Sequence, residues 1–341
     1  MGALKILGIA GLALLAGSSA GWAADDFFKG KTIKLVCGCG TGAGYDNHSR
    51  ILARHMPRHI AGEPTIIVQN LPAAGGLVAT NQIFSISPKD GTEIGLFNRN
   101  TLLSGLLGID QATFKIDEFN WLGTTASFSD NAHMFIVRSN LPHKTIEDMR
   151  NPALPAISVG NAGTALINVF KEALGLNLKI IEGYHNNDLD PAFERGEIDG
   201  HAISWLSMMA RAPHWIEKGF ARPVVQFGRA DRLPIISNVP TARELAKNEE
   251  GLALMLFAEA PLEMGYPFAL PPGVPAERVA LLRKAFKDTI EDPRYVEDIS
   301  KIKLELTPKY GDEVQAIVSK LTKSPPSVIA RYKALMGPES K

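Results

Sequence analysis

Nine residues, Gly38-Cys-Gly-Thr-Gly-Ala-Gly-Tyr-Asp46, carry the clearest chemistry in this 341-residue chain. An apolar run from Ile33 to Cys37 enters a turn holding Gly38, Gly40, Gly42 and Gly44, and His48 to Met56 follows with helical spacing. A strand, a glycine-rich turn and a helix start aim backbone N–H groups at one point, which suits an anion. Glycine permits positive φ there and leaves no side chain to hold a ligand away. The contacts expected from this turn are Gly40, Thr41, Gly42, Ala43, Gly44, Tyr45 and Asp46. Asp46 reads foremost as the helix N-cap. Tyr45 is exposed by the turn, where it either lies over a ligand or packs.

Other chemistries compete for the same residues. Cys37 and Cys39 are the only cysteines, and pairing i with i+2 closes a small, strained ring. The favoured reading is two small apolar side chains at a strand end, with pairing left open. A redox role would call for C-x-x-C at a helix start. His48, His55 and His59 line one side of a helix as a metal site would, yet no Cys, Asp or Glu at ligand spacing joins them, so no metal is expected. Gly38-x-Gly40-x-x-Ala43 fits a dinucleotide fingerprint, but the next strand ends in Gln69-Asn70 where an acidic residue belongs. An exported Rossmann-type oxidoreductase is therefore the alternative reading. No G-x-S-x-G elbow supports a hydrolase, and neither catalytic residues nor a cofactor are expected.

The elements that must position this turn begin behind an export signal. Met1 to Ala23 shows a Lys5 n-region, an Ile6 to Ala16 apolar run and a Gly21-Trp-Ala23 cleavage pattern, which implies a periplasmic protein. The run is short of the roughly 20 apolar residues a membrane span needs. Lysine plus arginine equals aspartate plus glutamate, 36 each, so there is no basic excess to draw nucleic acid. Apolar runs alternate with helical patterns, which predicts an α/β fold with largely parallel sheets. Strands are expected at Thr65–Gln69, Glu93–Phe97, His133–Val137, Ala156–Val159, Lys179–Ile181 and Arg222–Phe227.

Asn98 and Asn100 follow one strand end and Tyr184 and Asn186 another, where α/β folds place ligands. Gly160-Asn-Ala-Gly-Thr164 with the helix from Ala165 repeats the first strand–turn–helix, adding Asn161, Ala162, Gly163, Thr164 and Ala165 as contacts. Asp190-Pro191 reads as the cap of a further helix. The late helices, from Pro275 onward, lack a nearby sheet partner and are expected to return to the first domain. The expected lobes are Ala24–Thr125 with Arg243–Lys341, and Ala126–Ala242. The chain then crosses twice, and two crossings make a hinge.

These residues resemble the substrate receptors of tripartite tricarboxylate transporters, the Bug family of periplasmic binding proteins. The likeness runs through Ile33-Lys-Leu-Val, Gly42-Ala-Gly-Tyr-Asp46, Ile67-Val-Gln-Asn-Leu-Pro-Ala-Ala-Gly75, Pro88-Lys-Asp-Gly-Thr92, Gly160-Asn-Ala-Gly-Thr164 and Ala269-Leu-Pro-Pro-Gly-Val-Pro275. Gly38 and Cys39 stand where the family commonly has proline and an aromatic. The resemblance implies a two-lobed Venus-flytrap, type II-like fold that closes on a small organic carboxylate. Its grips would be Gly40–Asp46 and Gly160–Ala165, and its partner a membrane permease served by a monomeric, non-catalytic receptor. A receptor that reports to a signalling partner fits the same residues. The altered turn and Asn186-Asn-Asp188 favour a polar acid slightly over an aromatic one.

Overall fold

The computed structural model describes residues 27–42, 44–129, 132–160, 165–184 and 186–336; the leader Met1–Ala23, Ala43 and Asn161–Thr164 lie outside them. Eleven strands are described: β1 Thr32–Cys37, β2 Thr65–Asn70, β3 Glu93–Leu96, β4 Asn120–Thr124, β5 His133–Arg138, β6 Ile157–Gly160, β7 Leu178–Ile181, β8 Gly200–Ser204, β9 Ala221–Phe227, β10 Pro267–Leu270 and β11 Lys309–Tyr310. They form a six-stranded sheet, β11-β4-β10-β3-β1-β2, and a five-stranded sheet, β7-β6-β8-β5-β9.

The sheets are mixed, not largely parallel. Among the described strands, parallel pairing is confined to β1 with β2 and β3, and to β6 with β7 and β8. β10 and β11 run antiparallel to β4, and β5 runs antiparallel to β8 and β9. The reversal comes from the crossings, because strands that leave a sheet and strands that re-enter it point opposite ways.

The crossings lie side by side. Phe128 N–H donates to Leu262 O at 2.9 Å, and Tyr266 N–H to Thr124 Oγ1 at 2.9 Å and to Ala126 O at 3.3 Å. Thr307 joins them, its hydroxyl donating to Ser127 O at 2.8 Å. Gly265 is required here: its φ is +51°, and a Cβ would stand 1.6 Å from Ala126 O.

The apolar stretch near Leu252 belongs to a longer helix, Glu249–Met264, which packs on the helices Leu166–Ala173, Gly311–Thr322 and Pro326–Leu335. It is apolar almost all round, as a helix covered on several sides must be. Through it one core runs from Phe97 and Trp121 at the first sheet to Phe135 of the second and Phe170 of the helix Leu166–Ala173. A separate core, with Leu35, Phe268 and Phe286, fills the other face of the first sheet. No helix among the described residues is long and apolar enough to cross a membrane.

Two local readings change. The first helix spans Gly44–His55, so Asp46 sits inside its first turn and reaches back to the loop, where it accepts from Gly42 N–H at 2.8 Å. The helix expected to be capped by Asp190-Pro191 spans Asn186–Arg195, with Pro191 inside it. Proline there removes one backbone donor, and the turn before it still forms.

Candidate functional site

The glycine turn is anchored by its neighbours on the sheet. Gly38 N–H donates to Leu96 O at 2.9 Å, and Leu71 N–H to Cys37 O at 2.8 Å. Gly38 and Gly76 meet backbone to backbone: Gly76 has φ +94°, and a Cβ on it would lie 2.5 Å from Gly38 O. This contact is why the second glycine turn, Gly75-Gly76, stands where it does. Cys37 and Cys39 are disulfide-bonded, which departs from the favoured reading of two separate apolar side chains. The register of β1 with β2 sets Asn70 beside Cys37, and its amide donates to Cys39 Sγ at 3.4 Å.

Asp46 is buried, and its oxygens are taken up within this loop. Oδ2 accepts from Gly42 N–H at 2.8 Å and from Arg50 Nε at 2.9 Å, and Oδ1 accepts from Asn70 Nδ2 at 2.8 Å. Burial opposes the charge, but the Arg50 bond, the Gly42 N–H and the Asn70 amide together hold its pKa below the ordinary carboxylate value. Gly40, Thr41 and Gly42 remain exposed, with open space around Gly40 and Gly42.

Tyr45 points to a residue that sequence reasoning passed over. Its hydroxyl accepts from Arg99 Nη1 at 3.0 Å and from Arg99 N–H at 3.3 Å, and donates to Gly265 O at 3.4 Å. The guanidinium lies 4.7 Å over the Phe128 ring. Arg99 Nε is buried and has no hydrogen-bond partner, and among the described residues no carboxylate pairs with this side chain. Arg99 thus combines a fixed orientation with an unneutralised charge. The sequence signal is Asn98-Arg99-Asn100 at a strand's carboxyl end, a cation set between two turn-forming asparagines.

Arg99 stands between two cavities, of about 820 and 210 Å³, which share Arg99, His133, Leu189 and Ala202 in their walls. Both lie between the sheets, since Arg99 follows β3 and His133 opens β5. The smaller one also reaches Asn100, Gly160 and Ala165, and so joins the ends of β3 and β6. Ala165 is the N-cap of Leu166–Ala173 and, having no polar side chain, gives that helix start no cap of its own. A helix start and a guanidinium therefore face one space, and both favour an anion. Burial, with the charge of Arg99 adding to it, pushes His133 down to about 3, so its ring is neutral.

The larger cavity holds a different set. Arg211 Nη2 meets Asp190 Oδ2 at 2.8 Å, so this guanidinium is neutralised. Burial raises the Asp190 carboxyl, with Arg211 working the other way. His201 Nε2 stands 3.7 Å from Asp190 Oδ1, beyond a hydrogen bond, and burial pushes this ring down to about 4.

The remaining expected contacts fall in different places. Asn98 is committed to its own turn, donating to Gly75 O at 3.2 Å and accepting from Asn100 N–H at 3.1 Å. Asn100 lines the smaller cavity. Tyr184 is partly buried in the core of the second sheet, beside Gly160. Asn186 begins a helix, and its side chain, like Ala43 and Asn161–Thr164, lies outside the described residues. The histidine stripe divides: His48 is buried against Tyr266 at 4.1 Å, while His55 and His59 meet Asp298 at 2.9 Å and Asp292 at 3.1 Å. Among the described residues no group of His, Cys, Asp and Glu is arranged to hold a metal ion.

Two mixed sheets, joined by paired crossings around a cleft, define a two-lobed binding-protein fold of the periplasmic type. The chain belongs to the tripartite tricarboxylate transporter family receptors, whose model matches residues 49–331. It is 27% identical over 292 residues to a UPF0065 protein in the gbd 5′ region of Cupriavidus necator, covering 82% of this chain and 81% of that one. In fold it is similar to a TctC solute-binding protein from Polaromonas, with TM-score 0.67 and 17% identity over 90% of this chain and 98% of that one. It is likewise similar to MatC of Rhodopseudomonas palustris with bound malate, with TM-score 0.57 and 16% identity over 91% and 100%.

Proposed function

We propose that this chain is a non-catalytic periplasmic receptor that captures a small organic carboxylate between two lobes and delivers it to a membrane permease of the tripartite type. One observation carries the reading: a guanidinium held by Tyr45, with no carboxylate partner among the described residues, shares a cavity with the helix start at Ala165, whose side chain offers no cap. An unpaired charge in a partly buried cleft is costly unless a counter-charge arrives, and a ligand carboxylate supplies one. The family membership and the malate bound by MatC agree with that ligand class.

The lobes are Ala24–Thr125 with Arg243–Lys341, and Ala126–Ala242, the helix Glu249–Met264 packing on both as the chain returns to the crossing at Gly265; strand membership supports this, with β1–β4, β10 and β11 in one sheet and β5–β9 in the other. Tyr45 ties the first turn to Arg99, the charged contact, and Gly160 and Ala165 bring the second lobe to the same cavity. Closure favours the liganded form because only the closed cleft lets both lobes touch one small acid. A thermal-shift screen of the mature protein, unfolded and refolded to strip bound ligand, tests this against a carboxylate library. A ligand at 100 times its Kd adds about 2.7 kcal/mol of stability. A shift with a nicotinamide cofactor and with no acid would replace this reading by the oxidoreductase one.

A further inference from the structure

We propose that the ligand is a monocarboxylate with a compact apolar tail, its carboxylate on Arg99 and its ring or short alkyl chain in the smaller cavity. This rests on the receptor reading and narrows it. It also reverses the sequence expectation of a polar acid.

The first support is the lining. Beyond Arg99 the smaller cavity is walled by Leu103, Leu107, Leu166, Phe227, Leu262 and Met336, from helices and helix ends of both lobes and, for Phe227, the end of β9. Its remaining polar groups include the Asn100 amide, the Tyr332 hydroxyl and the neutral His133 ring, none of which carries a charge at neutral pH. Arg99 is therefore the one cation among the described lining residues. A second carboxylate placed here would be buried against leucine and phenylalanine, and that costs several kcal/mol per unpaired ion.

Size is the second support. An apolar cavity of about 150 Å³ takes a benzene ring. A space of about 210 Å³ holds one ring or a chain of comparable bulk, with its carboxylate at the mouth.

The third support is the other side of Arg99. There the larger cavity's Arg211 is already spent on Asp190. A diacid reaching from Arg99 in that direction finds a neutralised ion pair, not an open guanidinium. Its cationic Lys303 is exposed and hydrated, a poor reward for the crossing.

Isothermal titration of the refolded wild-type protein with propanoate, butanoate, pentanoate, hexanoate and octanoate, and with benzoate, benzamide, malate and adipate, tests the proposal. Affinity should rise about fourfold per methylene until the space is filled, near six carbons, and then stop rising. Benzoate should bind at least tenfold more tightly than malate, and more tightly than benzamide by a similar factor. The heat-capacity change should grow more negative with tail length. Ala258→Phe, which places a ring in the same space, should lower the hexanoate-to-propanoate affinity ratio at least tenfold. Malate or adipate binding as tightly as benzoate and hexanoate, a flat series, or an unchanged ratio overturns the proposal and leaves the receptor reading standing. If no carboxylate of either kind binds, the receptor reading fails with it. Should Ala258→Phe not give a cooperative melt, the wild-type series and its heat capacities decide alone.

Discussion

Arg99→Gln is the sharpest perturbation of this cleft. Glutamine keeps a polar group of similar reach and removes the charge. A carboxylate about 4 Å from the guanidinium at an effective dielectric near 20 gains about 4 kcal/mol before the loss of its water is counted. Removing one partner of a desolvated charge pair costs about 2–5 kcal/mol in measured complexes. Arg99 sits toward the favourable end, because Tyr45 and the Phe128 face hold it in place before any ligand arrives. The expected loss is about 2–4 kcal/mol, or roughly 30- to 1,000-fold in Kd, read by isothermal titration with the best acid from the screen. Arg99→Lys keeps the charge and gives up the planar fork, so it should fall between the two. The ligand-free protein should melt at the same temperature or higher, since the variant removes a cation whose Nε is buried without a partner and whose charge presses on His133. Affinity within threefold of wild type would falsify the assignment of Arg99 as the carboxylate's partner.

Acid should weaken the fold through its buried neutral histidines. Burial holds His48 at about 3 and His201 at about 4, so the folded state refuses a proton that the unfolded chain takes up near 6.5; stability is full above that value and falls below it, by about 2 kcal/mol per histidine at pH 5. Equal urea midpoints at pH 7.5 and pH 5 would count against buried neutral rings. Three glycines of the turn region should separate by mechanism in urea melts. Gly40→Ala, in open space, should stay within about 0.5 kcal/mol of wild type, Gly42→Ala at φ +80° should cost about 1, and Gly76→Ala more than 2 because its Cβ meets Gly38 O. The cysteines should show no free thiol in denaturant until a reductant is added, after which two should react; thiols present before reduction contradict the paired state.

Much of the scaffold was legible in the chain itself. Strand, glycine turn and helix at Ile33–Met56 are local matters, set by an apolar run, by residues that tolerate positive φ and by helical spacing, so propensity alone locates them. The return of the late chain to the first sheet was also readable, because helices without a strand partner must find a face elsewhere. The mixed direction of the strands was not, since β10 and β11 are short and their pairing with β4 depends on contacts about 145 or more residues away.

Arg99 marks the same boundary within the site. Its neighbours in sequence show only a polar trio at a strand end. That its guanidinium meets no carboxylate among the described residues follows from where Tyr45, Phe128 and His133 come to rest, far apart in the chain as Tyr45 is from the other two. The stripe of His55 and His59 gives the converse case. Their partners Asp298 and Asp292 are over 230 residues away, so no spacing rule could join them. Periodicity and turn chemistry act over a few residues and are written in the sequence. Charge balance and the lining of a cavity are sums over everything brought near, and those sums exist only once the crossings at Ala126 and Gly265 have set one lobe against the other.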